Sequence, residues 1–318
     1  MSTTATESVY FLLLPGSQPF DFAVPAQLIE RAAELSGKPL TLHYIGPNTS
    51  ATIAGALPVT LKSLPAKLEG RATVFVPAAG SDAAARTAAQ RWLATLGGDT
   101  SLVALGNGVV LLAEAGLLAG RRCTTDRSNI AAVNAASNTV QVLENRPLVR
   151  DRDLWTSPGG VSAVELALRF VIARLGAVAA LKVARDYGIV LSRLGEESDW
   201  PVALRYRNHD NPVVHQAQDL LAEQPEAKLG ATELAGRCGV SYRQLARLFA
   251  DEAGVSVKQY QLELRIELAR RLLADSEERV ERIAELSGFA SVQAFHAAWR
   301  SRERVSPLVY RRSSRVAR

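Results

Sequence analysis

Sulfur and aromatic residues are scarce in this 318-residue chain. It has two cysteines, one methionine and four histidines, and only 6% of its residues are Phe, Trp or Tyr. Cys123 and Cys238 fall in stretches that read as separate domains, so a structural disulfide is not expected. A reducing, cytoplasmic setting follows. Long apolar runs are missing too. No stretch approaches the ~20 residues a membrane span needs. The N-terminus, MSTTATESVYFLLLPG, carries no basic segment ahead of its short apolar run. It reads as a polar lead into a strand, not as a signal peptide.

Charge is present, and its placement matters more than its sum. The net charge of +5 and a pI near 9.4 point weakly to nucleic acid. From Arg300 to Arg318 there are seven arginines (300, 302, 304, 311, 312, 315 and 318) against one acid, Glu303. Such a cluster suits phosphate, although a solvated tail would carry it equally well.

An internal repeat organises the C-terminal third. ELAGRCGVSYRQLARLFADEAGVSVKQY begins at Glu233, and RIAELSGFASVQAFHAAWRSRERVSPLVY begins at Arg282. Gly239 lies opposite Gly288. Ala290 is one extra residue in the second copy, and beyond it Ser241 meets Ser291, Phe249 meets Trp299 and Tyr260 meets Tyr310. Each copy is one structural unit. Each reads as a short helix, a glycine turn and a second helix: a helix-turn-helix used twice.

In the first copy Ser241 is a good N-cap for the second helix. At ~100° per residue Leu245, Leu248 and Phe249 share one face, and Arg243, Gln244 and Arg247 the other. Arg pairs with guanine O6/N7 and Gln with adenine N6/N7, so this outer face suits the major groove. Tyr242 borders it, within reach of a phosphate or a thymine methyl. In the second copy Ser291 caps the helix, Val292, Phe295 and Trp299 point inward, and Gln293, His296 and Arg300 share the outer face. No Cys or carboxylate stands at ligand spacing beside His296, so no metal site is expected. A solvated face of an ordinary bundle would show either helix alone; the repetition favours double-stranded DNA as the partner. Between the copies Val257–Ala274 carries two apolar stripes, one of Tyr260, Leu264 and Leu268, the other of Leu262, Ile266, Ala269 and Leu273. Charged residues Glu263, Arg265, Glu267 and Arg270 flank them. A helix apolar on two sides packs against two bodies.

Residues 7–190 alternate strand and helix patterns. Strands are expected over Val9–Leu14, Leu40–Ile45, Thr73–Val76, Leu102–Leu105, Val140–Leu143 and Leu148–Leu154, with a hairpin over Thr52–Leu61. Helices are expected over Phe22–Leu35, Ala83–Leu96, Val109–Ala115, Val161–Leu175 and Ala177–Tyr187. The alternation predicts an α/β, flavodoxin-like domain: a mostly parallel sheet with helices on both faces. Ligands in such sheets sit beyond the strands' carboxyl ends, in loops that here carry Asp21, Gly80, Gly106, Asn107, Asp126 and Arg127. SLVALGNGVVLLAEAG has the strand–turn–helix layout of a nucleophile elbow, with Gly106 at the position of attack. Glycine has no nucleophile, so no catalytic residue is assigned. Asn107 and the amides at the helix start remain able to bind a polar group.

The stretches VYFLLLPG…FDFAVPAQLIERA, VFVPAAG, VALGNGVVLLAEAGLLAGRRCTTD and TSPGGVSAVELALRFV resemble the PfpI-type, class I glutamine amidotransferase-like family over most of residues 9–175. That family uses an elbow Cys, often with a nearby His. Here these positions are Gly106 and Asp126, and Cys123 lies on the strand before the Thr pair. The resemblance therefore implies the fold without the hydrolysis, and neither an enzyme nor a cofactor is expected. Residues 191–211 mix Gly, Pro and charge without periodicity and read as a linker. From residue 212 to about 314 the chain resembles the AraC/XylS-type DNA-binding domain, carried by LAGRCGVSYRQLARLF, RIELARRLLADS and IAELSGF-AS-VQAFHAAWR…VSPLVYRR. Arg304 stands where that family has Gly before Val-Ser-Pro, while the first copy keeps Gly254. A strained Arg304 or a rearranged turn is expected.

The two domains together look like the GlxA subfamily of transcriptional regulators. That likeness implies a homodimeric activator that contacts RNA polymerase and senses a small-molecule effector. Two alternatives stay open on the residues: an amidase or hydrolase with an appended DNA-binding domain, and a nucleoid-type protein without sequence preference.

Overall fold

The computed structural model describes residues 7–189 and 200–316, apart from 55, 208, 210 and 228. The chain divides into two units, residues 1–187 and 188–318. The first is built from β1 (Glu7–Leu12), α1 (Pro19–Ser36), β2 (Leu40–Gly46), β3 (Ser50–Ile53), β4 (Leu57–Thr60), β5 (Lys62–Ser63), β6 (Arg71–Val76), α2 (Ala83–Leu93), β7 (Ser101–Leu105), α3 (Gly108–Glu114), β8 (Arg122–Cys123), α4 (Ile130–Ala136), β9 (Gln141–Val142), β10 (Val149–Asp151), β11 (Leu154–Ser157), α5 (Ser162–Leu175) and α6 (Ala177–Asp186). The main sheet runs β10-β11-β7-β6-β1-β2-β5, parallel except for the antiparallel edge pair β10–β11. The expected α/β fold is present.

β1 is apolar without a break from Val9 to Leu12 because both of its faces are covered. Phe11 packs tilted against Phe75, which meets Phe170 of α5 edge-on, and Trp155 meets the same ring. On the opposite face Tyr10, Leu12, Val74, Val76 and Ala104 pack with Trp92 and Leu93 of α2 and Val109–Leu112 of α3. Each such fully buried apolar side chain contributes ~1.5–3 kcal/mol, and the two layers fix the strand ends from which the loops emerge.

Two expectations for this unit need correction. Leu148–Leu154 is not one strand: Arg152 turns at φ +57 and splits it into the β10–β11 hairpin. α4 was not foreseen, because its Ala-rich sequence buries only Val133 and so shows no apolar stripe.

The second unit is helical: α7 (Val202–Arg205), α8 (Pro212–Glu223), α9 (Ala231–Arg237), α10 (Tyr242–Ala253), α11 (Val257–Asp275), α12 (Val280–Leu286), α13 (Val292–Arg300) and α14 (Pro307–Val316). Pro212 opens α8 behind Asn211, whose side chain accepts from the Val213 and Val214 amides. The expected linker needs revision. Its residues 191–199 lie outside the described ones, but Trp200, Val202, Ala203 and Leu204 are buried, and α7 packs on α11. Trp200 and Val202–Leu204, too short a stretch to show a period, form a buried turn rather than a tether.

Along α11, Tyr260 faces Phe249 of α10 at 5.4 Å between ring centroids. Ile266, Ala269 and Leu273 join Ile283, Ala284, Phe295 and Trp299 of the second repeat. The two stripes thus serve the two helix-turn-helix units. Glu263, expected on a charged flank, is instead buried.

Candidate nucleic-acid interface and elbow pocket

The repeat turns are built alike. Gly239 and Gly288 sit at φ +70 and +78, and the amides after them close the turn, Val240 onto the Ala235 carbonyl and Phe289 onto Ala284. Ser241 caps α10 by accepting from the Gln244 amide at 3.3 Å, and Ser291 caps α13 through Ala294 at 3.1 Å. Behind α10, Leu245 and Phe249 are fully buried; behind α13, Phe295 and Trp299 are. Tyr242, Arg243, Gln244 and Arg247 are exposed on α10, and Gln293 and Arg300 on α13. His296 is half-buried, its ring 5.5 Å from that of Phe295.

The copies differ at their ends. α10 continues to Ala253 and is closed by Gly254 at φ +69. α13 ends at Arg300, three residues short of the equivalent point. Arg304 is not among the described residues with positive φ; the turn is rearranged instead of strained. Trp299 accepts the Arg302 and Glu303 amides, and its indole Nε1 donates to the Val305 carbonyl at 2.8 Å. The early exit turns Arg302 and Glu303 back onto α11, where Arg302 pairs with Glu263 at 3.0 Å and Glu303 accepts from Arg270 Nε at 2.6 Å. The loop between α8 and α9 braces the second repeat as well. Arg265 of α11 holds its Pro225 and Ala227 carbonyls, each at 2.9 Å, and the Glu226 backbone lies against Gly288. Of the arginine cluster, Arg302 is engaged, Arg311 donates to the Glu278 carbonyl, and the side chains at 315 and 318 lie outside the described residues.

In the first unit the strand ends converge as expected. Gly106 turns at φ +55. Its amide donates to the Ser157 carbonyl, and its carbonyl accepts from Thr125 Oγ1 at 2.8 Å. Asp21, only 4% exposed, accepts from the Gly160 amide at 2.8 Å. Burial pushes its carboxyl pKa up, against the pull of the Gly160 and Ala78 amides and with a smaller push from Asp126. A methyl on Gly159 would meet both carboxylate oxygens at 2.9 Å, so Asp21 is sealed beneath that loop. Asn107 is a clamp: its amide accepts from Ala79 N and donates to Ala79 O, both at 2.8 Å. The Val109 and Val110 amides are bonded to the Gly106 and Asn107 carbonyls, which leaves fewer open donors at the start of α3 than expected. Asp126 is spent on Ser128 and Asn129, where it caps a short 3-10 turn. Arg127 is exposed.

A cavity of ~570 Å³ opens beside this elbow. Gly80 and Asn107 line it; Asp21, Gly106, Asp126 and Arg127 do not. Its charged wall was missed from sequence. Arg86 bonds Glu114 at 2.8 Å, and Gln90 donates to the same carboxylate at 2.6 Å. Arg86 and Gln90 are four apart on α2, a spacing that puts both on one side and was the available signal. Cys123 is fully buried, and burial pushes its thiol up to about 11. Among the described residues no helix is long and apolar enough to cross a membrane, and no group of three His, Cys, Asp or Glu could hold a metal ion.

Comparison with known proteins adds to this geometry. A helix-turn-helix domain model matches residues 234–313. The chain is 29% identical over 310 residues to the HTH-type transcriptional regulator CdhR of Pseudomonas aeruginosa, covering 95% of this chain and 90% of that protein. It is 28% identical over 320 residues to the HTH-type transcriptional regulator GlxA of Rhizobium meliloti, covering 97% and 96%. A crystal structure of an AraC family transcriptional regulator from Pseudomonas putida overlays 57% of this chain and 99% of its own, with a TM-score of 0.51 at 19% identity. That likeness is one of fold.

Proposed function

We propose that the chain is an AraC-type HTH transcriptional regulator of the GlxA and CdhR kind, and that it reads promoter DNA through α10 and α13 under the control of a small molecule held by its first unit. The observation that carries this reading is the pairing of two polar helix faces on one scaffold. Arg243, Gln244 and Arg247 on α10, and Gln293 and Arg300 on α13, are all exposed, while the backs of both helices are packed on or around α11. Ser241 and Ser291 present capped helix starts. Tyr242 and His296 complete the two faces as flanking contacts. Arg and Gln in this setting discriminate bases by ~1–3 kcal/mol per bidentate pair.

The first unit acts by binding, not turnover. Gly106 supplies no nucleophile, and the buried Cys123 thiol stays protonated near neutral pH. The effector site is the cavity beside Gly80 and Asn107. Asp21, Gly106, Asp126 and Arg127 shape the loops around it. A ligand that prefers one state of the chain shifts the population competent for DNA. The chain works as a cytoplasmic homodimer that activates by contact with RNA polymerase.

The test is selection of duplexes from a random-sequence library with the full-length chain, then binding of Arg243→Ala, Arg247→Ala and Arg300→Ala to the recovered site. Enrichment of one sequence that each variant loses supports the reading. Equal affinity for the recovered and random duplexes at matched salt would sink it in favour of non-specific binding. Hydrolysis of an amide or ester by the full chain would sink the non-catalytic role of the first unit.

A further inference from the structure

Glu263 is a carboxylate near the middle of α11, 7% exposed, the one acid among that helix's buried residues. A buried carboxylate persists only where donors satisfy it. Its donors come from three directions. Tyr206 Oη donates to Oε2 at 2.7 Å, and Arg205 lies 3.5 Å from the same oxygen. Arg302, two residues beyond α13, reaches Oε1 at 3.0 Å, and Gln259 one turn back on α11 donates at 3.4 Å. Two of these groups belong to the buried turn that follows residues 191–199. A third belongs to the exit of the second reading helix. One side chain therefore joins the stretch of chain arriving from the first unit to the helix that reads the second half-site.

The surroundings give this junction leverage on both readers. Tyr206 packs edge-on against Tyr260 at 5.8 Å, and Tyr260 packs on Phe249 of the first reading helix. Arg270 lies seven residues after Glu263, two turns along the same side of α11, and it holds Glu303. The exit of α13 is thus pinned at two adjacent residues, Arg302 and Glu303. The early end of α13 makes that possible. A helix continued to residue 303, as its counterpart α10 continues to Ala253, would leave both in regular helix.

We propose that Glu263 is a positioning residue that fixes the second reading helix relative to the first, and that the arriving turn Trp200–Tyr206 governs it by supplying two of its donors. The proposal rests on the DNA-reading function above. It assigns to Glu263 the stringency of half-site spacing, not the reading of any base. Seating or withdrawing the turn tightens or loosens that stringency, which gives the first unit a lever on promoter choice.

The experiment uses the full-length chain and the duplex recovered by selection, together with the same duplex carrying one extra base pair between its half-sites. One base pair displaces the half-sites by ~3.4 Å and turns them by roughly 34°. Wild type should lose affinity for the lengthened duplex by about tenfold or more, the scale of a misplaced contact. Glu263→Gln, which keeps volume and removes charge, should lose about threefold or less between the two duplexes, with its far-UV and near-UV spectra unchanged. Tyr206→Phe and Arg302→Gln should each shift the ratio the same way, and their double variant should fall short of the sum, because both act through one carboxylate. An unchanged spacing ratio in Glu263→Gln, or equal weakening on both duplexes, overturns the positioning role. Additive effects of Tyr206→Phe and Arg302→Gln overturn the link to the arriving turn. Failure to enrich any sequence refutes the DNA reading itself, and the proposal falls with it.

Discussion

The two turn glycines of the repeat allow one substitution to be made twice in near-identical settings. Gly239 and Gly288 share a left-handed backbone, at φ +70 and +78. Alanine there costs ~1–2 kcal/mol from backbone sterics alone. The surroundings differ. A methyl on Gly239 meets nothing within 4 Å, whereas one on Gly288 falls 2.5 Å from the Glu226 carbonyl oxygen and 2.7 Å from its Cα. Those neighbours are backbone in a loop that Arg265 already holds by two hydrogen bonds, so they do not yield cheaply. Overpacking of this kind adds ~1–3 kcal/mol. Gly239→Ala should therefore destabilise the second unit by ~1–2 kcal/mol and Gly288→Ala by ~2–5 kcal/mol. Urea unfolding of the full chain, followed by tryptophan fluorescence, to which Trp92 and Trp155 of the first unit and Trp200 and Trp299 of the second contribute, and by near-UV dichroism, measures both. The two units need not unfold together, so the transition assigned to the second must be fitted on its own. Equal losses, or a larger loss at Gly239, would refute the claim that the second turn is braced by the loop at Glu226.

Three further outcomes follow. Asp21→Asn should remove one contribution that favours the folded first unit at the acid end. At low pH the folded and unfolded chains both hold the proton. As pH rises the unfolded chain releases it first, so the native state loses stability until pH passes the raised folded value. The denaturation midpoint at pH ~4 minus that at pH ~7 should be more positive in wild type than in the variant, because the raised carboxyl adds stability only at the acid end. Asn107→Ala removes both bonds to Ala79 and should destabilise the first unit by about 1–3 kcal/mol; an unchanged thermal midpoint would mean that the clamp is idle. Arg243→Ala and Arg247→Ala should each cost ~1–3 kcal/mol on the recovered site if the side chain pairs with a base. Weakening that is uniform across sequences would assign them to phosphate instead.

Much of this molecule was open to reading from its residues, for reasons that differ by region. The repeat declared both helix-turn-helix units, since the same spacing of glycine, serine and aromatic residues recurs after one inserted alanine. The central strands declared themselves by apolar runs that only a doubly covered sheet requires. What stayed hidden was whatever depends on a distant partner. Glu263 carries the pattern of a surface residue; it is buried because Tyr206 and Arg302 come to it from 57 and 39 positions away in sequence. Arg86 and Glu114 look like ordinary helix charges until α2 and α3 bring them together at the cavity. Asp21, which lies in the first turn of α1 and off the cavity, and Asn107 gave no sign in sequence that backbone groups already occupy them. α4 escaped because a mostly exposed alanine helix has no periodicity to detect.

The unlike ends of the two repeats have a consequence for the DNA as well as for the protein. Many helix-turn-helix proteins present the same reader twice across a two-fold axis, and their sites read alike from either strand. On the proposed reading one chain carries two different readers in fixed order on one helix, and one of them is fastened at its exit in a way the other is not. A site that fits such a pair has a head and a tail. Inverting it in place, with every base retained, presents each reader with the other's sequence. A single protomer is thus enough to distinguish upstream from downstream.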